Sequence, residues 1–230
     1  MQVFTLKSLL LLASLLLVSS ARSFGISLAP SQGVLSKTSW ECLRQHKYEF
    51  VIVKIWDGPK QLNINTTTNM QGAKEVGFNN SDIQAFLCIN CQDNDSPPQV
   101  LDRITSYASL TETMYNTCWI SVVTCKNDNS CWSLPEANLA YIEQAVEYLQ
   151  ARDIQPGIYT DAENWYAIMG DLKSDSLRKL PLWYKGDKSL NYQDFSDRPF
   201  GGWEKPKIKQ YESEAMQCET RLDKLVIFDD

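Results

Sequence analysis

Histidine is almost missing from this sequence: His46 is the only one in 230 residues. It sits in the polar stretch Arg44-Gln45-His46-Lys47, where a solvated position near a helix end is expected. Histidine-based metal sites and Ser-His or Cys-His nucleophile pairs therefore lack parts. No phosphate loop and no dinucleotide fingerprint occurs, and neither a metal nor a cofactor is expected. Positive charge is also short, with a formal net charge of -6 that becomes -7 if Lys7 is removed with a leader. Long-range attraction to nucleic acid or to an anionic membrane is not expected of such a surface. No apolar run after the first eighteen residues approaches the ~20 that a spanning helix needs. What remains is carboxylate chemistry, or binding by aromatic surfaces.

The N-terminus reads as a removable signal peptide over residues 1–23. Lys7 supplies the charged region, the Leu-dominated run Ser8 to Val18 the apolar region, and Ser19 to Ser23 the small-residue cleavage zone. Cutting after Ala21 or after Ser23 satisfies the pattern equally well. Secretion into a vesicle, a digestive compartment or the medium is the expectation. Residues 24–230 are long enough for one sizeable core, and no Pro/Gly-rich linker divides them. Seven cysteines in an oxidising compartment should mostly pair, and the odd count leaves at least one over. Cys88-Ile-Asn-Cys91 has redox-motif spacing, but structural disulfides are favoured in a secreted chain. Asn65 and Asn79 begin glycosylation acceptors in polar stretches, whereas Asn94-Asp-Ser is followed by Pro97 and is weaker.

Short apolar, β-branched runs recur along the chain, the clearest being FVIVKIW at 50–56. Strands are expected near 25–29, 50–56, 83–89, 118–124, 156–160, 181–184, 207–211 and 222–228, with helices between the first six. Pro135 to Arg152 is the plainest helix, opened by proline and striped by Ile142, Ala145, Val146 and Leu149. A shorter one capped by Thr38 or Ser39 should run through Arg44. Strand-helix repetition followed by closely connected strands indicates an α/β fold with a mainly parallel sheet. Periodicity alone leaves both a closed barrel and an open doubly wound sheet standing.

The second half holds PGIYT (156–160), Asn164-Trp165, Ile168-Met169-Gly170, LWY (182–184), FGGW (200–203), Pro206, KQY (209–211), Cys218 and Leu222-Asp223. The first half adds Gly25-Ile-Ser-Leu, Gln32-Gly33, Trp40-Glu-Cys-Leu43 and FVIVKIW. In this order and spacing they resemble the glycoside hydrolase family 25 lysozymes, in the cysteine-containing branch of protists and nematodes. The resemblance covers essentially the whole mature chain. It implies an irregular TIM-like barrel of five β/α units followed by three strands, and peptidoglycan or a related glycan as partner. Hydrolysis in such a family needs two carboxyl groups flanking the scissile bond.

Measured against that pattern, this chain departs where the chemistry should be. Ser27 stands at the first-strand Asp position, and the family's Trp-x-Asp-x-Glu reads Trp119-Ile120-Ser121-Val122-Val123. Asp223 alone keeps its acid, with Leu225 in place of the usual following Asn. Losing a general acid costs about 10²–10⁴ in rate. Asp57, Asp93, Asp95, Asp128, Asp161 and Asp187 follow expected strands and could supply relocated acids, although helix capping and loop solvation explain such residues too. The resemblance assigns glycan contacts to Tyr159, Trp183, Tyr184, Gln210 and Tyr211. Core packing is the competing role for the aromatics, Trp165 and Trp203 included. The reading is a secreted lysozyme-like barrel with impaired chemistry that binds glycan. A working muramidase with displaced acids and a purely structural or protein-binding barrel are its rivals.

Overall fold

A computed structural model of the protein describes residues 22–28, 32–57, 62–88, 96–110, 115–124 and 131–228. The expected signal peptide, apart from its last two residues, lies outside them. Eight strands close into a barrel in sequence order: β1 (Ser23–Leu28), β2 (Phe50–Asp57), β3 (Ile83–Cys88), β4 (Thr117–Ser121), β5 (Gln155–Thr160), β6 (Leu182–Lys185), β7 (Ile208–Gln217) and β8 (Thr220–Ile227). Strands β1 to β7 run parallel, while β8 is antiparallel to both β7 and β1 and completes the ring. Helices α1 (Lys37–Gln45), α2 (Thr66–Glu75), α3 (Pro97–Leu110), α4 (Pro135–Gln150) and α5 (Ala162–Met169) follow the first five strands. The short α6 (Gln193–Asp197) lies between β6 and β7. This is the α/β architecture of five units and three further strands, with the barrel chosen over the open sheet.

Strand alternation divides the apolar residues into two layers. Val51, Val53, Ile26 and Leu87 face outward into a core shared with Trp40, Leu43, Ile104, Ile142 and Trp165. Phe50, Ile52, Phe86, Trp119, Trp183, Ile208 and Leu225 face inward and fill the barrel. Each such large side chain, taken from water, contributes about 1.5–3 kcal/mol. The inner layer fits because two strands carry no side chain where rings press closest. A Cβ on Gly25 would lie 2.4 Å from the Phe50 ring, and one on Gly157 would lie 2.5 Å from the Trp119 ring.

Helix α4 starts at Pro135 as expected and ends at Gln150, two residues early, where the chain turns through 151–153. Its buried Asn138 donates to the Ile168 carbonyl at 2.8 Å and so ties α4 to α5. The cap of α1 is a correction to the sequence reading. Ser36, not Thr38 or Ser39, accepts the Ser39 backbone N–H through its hydroxyl at 3.1 Å. Cys42 on α1 is bonded to Cys218 at the β7–β8 turn, Cys131 is also in a disulfide, and Cys118 is a buried free thiol. His46 is exposed at the end of α1, and Asn79 is exposed in the turn before β3.

Candidate functional site

In a parallel barrel the C-terminal strand ends form the mouth where sites are built. Here Ser27 near the end of β1 lies directly beside Asp223 of β8, because the antiparallel register pairs them. Ser121 ends β4 next to Tyr159 of β5, and Lys185 ends β6 next to Gln210 of β7. Ser27, Ser121 and Gln210 are buried, whereas Tyr159 is half-buried and Lys185 exposed.

Beneath the mouth lies an aromatic floor. The rings of Tyr159 and Trp183 are 4.3 Å apart between centroids, and Phe86 meets Tyr159 edge-on at 5.2 Å. Trp183 is 1% exposed, so Tyr159 is the member of this pair that solvent or a ligand can reach. The Tyr159 hydroxyl donates to Gln210 Oε1 at 3.0 Å, and Gln210 Nε2 donates to Ser213 Oγ at 2.9 Å. The Lys54 ammonium stands 5.3 Å above the Phe86 ring.

Asp223 accepts the Glu214 backbone N–H at 2.9 Å through Oδ1. Burial pushes its carboxyl above the ordinary range. The Glu214 N–H and the charges of Lys185 and Lys54 oppose that shift, and the Glu214 carboxylate adds to it. Two of the three positions read as lost acids, Ser27 and Ser121, offer hydroxyls that can bond a sugar but cannot move its proton at neutral pH. Val123 is half-buried beyond β4, and its carbonyl accepts the Trp132 indole N–H at 2.9 Å.

Not every residue assigned to glycan contact reaches this mouth. Tyr184 points outward, is 3% exposed, and donates to Asp194 Oδ1 at 2.6 Å; burial, then this bond, raises its phenol above the ordinary value. Tyr211 packs edge-on against Phe24, with centroids 6.4 Å apart, and is half-buried there. Trp165 and Trp203 pack against each other in the outer core. Of the candidate relocated acids, Asp161 caps α5 by accepting the Asn164 N–H at 2.8 Å, and Asp187 is held by Lys209 and Ser189. Asp93, Asp95, Asp128 and the side chain of Asp57 lie outside the described residues.

Lys54, Lys185, Ser213 and Glu214 were absent from the sequence-based list. Lys54 was findable, since alternation in FVIVKIW puts it on the same face as Phe50 and Ile52. Glu214 was not, because its approach depends on an irregular β7–β8 register and a left-handed φ of 53°.

A family model described as "Lysozyme-like protein 1" matches residues 23–211. Counting factor 50 of Dictyostelium discoideum is 30% identical over 222 residues, covering 96% of this chain and 71% of that protein. Probable GH family 25 lysozyme 3 of the same organism is 33% identical over 221 residues, covering 94% of this chain but only 44% of its own length. The family GH25 lysozyme structure from Aspergillus fumigatus superposes with a TM-score of 0.72 at 15% identity, covering 91% of this chain and 95% of that one. The bacterial lysozyme from Streptomyces coelicolor gives 0.72 at 15% identity, covering 90% and 93%.

Proposed function

Because this chain belongs to the glycoside hydrolase family 25 lysozyme-like proteins, we propose that it is a secreted barrel that binds peptidoglycan or a related glycan and has lost most hydrolytic capacity. The observation that carries the reading is the composition of the mouth. Where two carboxyl groups must flank a glycosidic bond at about 5–10 Å, Asp223 faces Ser27 across the β1–β8 pair, and Ser121 ends β4. Valine at position 123 can neither give nor take a proton.

Binding needs less than hydrolysis does. Tyr159 offers a ring edge and a hydroxyl, Gln210 an amide, and Ser27 and Ser121 hydroxyls, which together suit a polyhydroxylated ligand. Trp183 backs Tyr159, while Tyr184 and Tyr211 brace the wall from outside in this reading. The signal peptide over residues 1–23 brings the chain to an extracellular or vesicular glycan.

A second reading draws on Asp223 itself. Its raised proton affinity, with the Glu214 carboxylate nearby, is what a general acid requires, so a residual muramidase would use this pair. Peptidoglycan turbidity and sedimentation assays on the purified, oxidised chain separate the readings. The natural chain should sediment with peptidoglycan without clearing it. A chain carrying Ser27→Asp, Ser121→Asp and Val123→Glu together should clear it at least about 10²-fold faster. Clearing by the natural chain that disappears in Asp223→Asn would replace the first reading with the second. Failure to sediment would favour a structural or protein-binding role.

A further inference from the structure

A lone histidine argued against a metal site in the sequence, but the fold brings it to two sulfurs. Cys42, His46 and Cys218 each offer one ligand atom, and the three atoms lie within 4.8 Å of one another. Cys42 and His46 stand four residues apart at the end of α1, on one helix face, and the His46 backbone N–H donates to the Cys42 carbonyl at 3.1 Å. Cys218 arrives from the far end of the chain. Gln217 pairs with Thr220, and the two residues between them, Cys218 and Glu219, have φ of 53° and 59°, as a tight hairpin turn requires. The turn geometry therefore fixes where Cys218 sits. In the oxidised chain its sulfur is joined to that of Cys42. Both cysteines are half-buried and His46 is exposed, so the cluster is open to small solutes, thiols included.

Opening the disulfide does not scatter these ligands. The Cα atoms of Cys42 and Cys218 are 5.7 Å apart, and two contacts besides the disulfide hold the hairpin in place. The Tyr48 hydroxyl donates to Gln217 Oε1 at 2.6 Å, and the Arg221 backbone N–H donates to Gln32 Oε1 at 2.7 Å. One lies just before the turn and the other just after it. In a tetrahedral zinc site, bonds of about 2.3 Å to sulfur and about 2.0–2.1 Å to nitrogen place the ligand atoms about 3.5–3.8 Å apart. Side-chain rotation is enough to bring the freed sulfurs and the imidazole to that spacing. Two thiolates and a neutral imidazole suit a borderline-soft divalent ion such as Zn²⁺, whose charge the thiolates cancel. Three protein ligands leave the fourth position to water.

We propose that reduction of the Cys42–Cys218 disulfide converts this cluster into a zinc site, with Cys42, Cys218 and His46 as its protein ligands. An external dithiol supplies two electrons and two protons: it closes to its own disulfide as the Cys42–Cys218 bond breaks to two thiols, and Zn²⁺ then displaces both thiol protons to solvent. The site shares no residue with the mouth and does not depend on the function proposed there. Zinc titration of the full mature chain, oxidised or reduced with dithiothreitol and then freed of it under nitrogen, tests the proposal in competition with a chromophoric chelator. The reduced chain should bind one equivalent at least about 100-fold more tightly than the oxidised chain, and His46→Ala should weaken that binding at least about tenfold. Cys42→Ser with Cys218→Ser should abolish it. Peptide mass spectrometry should find Cys42 and Cys218 protected from iodoacetamide by Zn²⁺ in the reduced chain. Near-UV circular dichroism verifies the fold of the reduced chain and of each variant, and His46→Ala, at an exposed position, carries the test should the serine pair fail to fold. Equal affinity in the oxidised chain, unchanged affinity in either folded variant, protection of other cysteines in place of these two, or loss of the near-UV signal on reduction would each overturn the proposal.

Discussion

Replacing Lys209 by methionine should unseat the segment between β6 and β7. Lys209 is fully buried on β7, and its ammonium donates to Asp187 at 2.5 Å, Asp194 at 2.8 Å, the Asn191 carbonyl at 2.8 Å and Ser189 Oγ at 3.1 Å. Asp194 also accepts from Tyr184. Methionine fills much of the volume but strands two carboxylates around an apolar tip. Breaking a buried pair by removing one partner costs about 3–5 kcal/mol. Asp187 is 60% exposed and therefore screened, which places the expected loss at the lower end, about 3 kcal/mol. With a urea m-value of about 2–3 kcal/mol/M, the unfolding midpoint should fall by roughly 1–1.5 M at pH 7.

The acid dependence supplies a second check on the same variant. The Lys209 ammonium, then Ser189, lowers the Asp187 carboxyl to about 2. Burial pushes Asp194 up, but Lys209 and Tyr184 outweigh it and hold it below its ordinary value. Both groups bind protons less tightly folded than unfolded. Their stabilisation is therefore complete above the ordinary carboxyl range and is lost as pH falls toward about 2. The gap between natural chain and variant should stay constant from pH 7 to about 5 and narrow below about 4. A midpoint change under about 0.3 M, or a gap that persists unchanged into acid, would refute the reasoning.

Burial pushes the Cys118 thiol far above its ordinary value; iodoacetamide at pH 8 should leave it unmodified in the native chain and label it on unfolding in urea, as peptide mass spectrometry reads out. Rapid native labelling would mean that β4 opens locally. Gly157→Ala places a methyl group 2.5 Å from the Trp119 ring and should cost about 1–3 kcal/mol by overpacking. Thermal unfolding should show a midpoint lowered by roughly 2–10 °C, and an unchanged midpoint would mean that the inner layer has slack.

Strand positions were readable because β-branched runs such as FVIVKIW announce themselves locally; all eight are present, seven within about three residues of expectation, while β7 runs on to Gln217, six residues past its expected end. The Ser36 cap was misread by two or three residues, since Thr38 and Ser39 are equally good cap types and only backbone geometry distinguishes them. Period-2 alternation already required Trp183 and Tyr184 to point in opposite directions, and Gln210 and Lys209 likewise. Which of each pair faced inward was a separate question. Glu214 was invisible for another reason: it reaches its site through an irregular β7–β8 register that no residue pattern encodes.

The α/β class, the order of elements and the family were legible in the residues alone, because these rest on local periodicity and on motifs strung along one chain. That β8 closes the ring against β1, that Cys42 pairs with Cys218 and that Ser27 lies beside Asp223 emerged only from the folded chain. Those are contacts between distant segments, and their free energy comes from burying a shared interior that exists only once the barrel has closed.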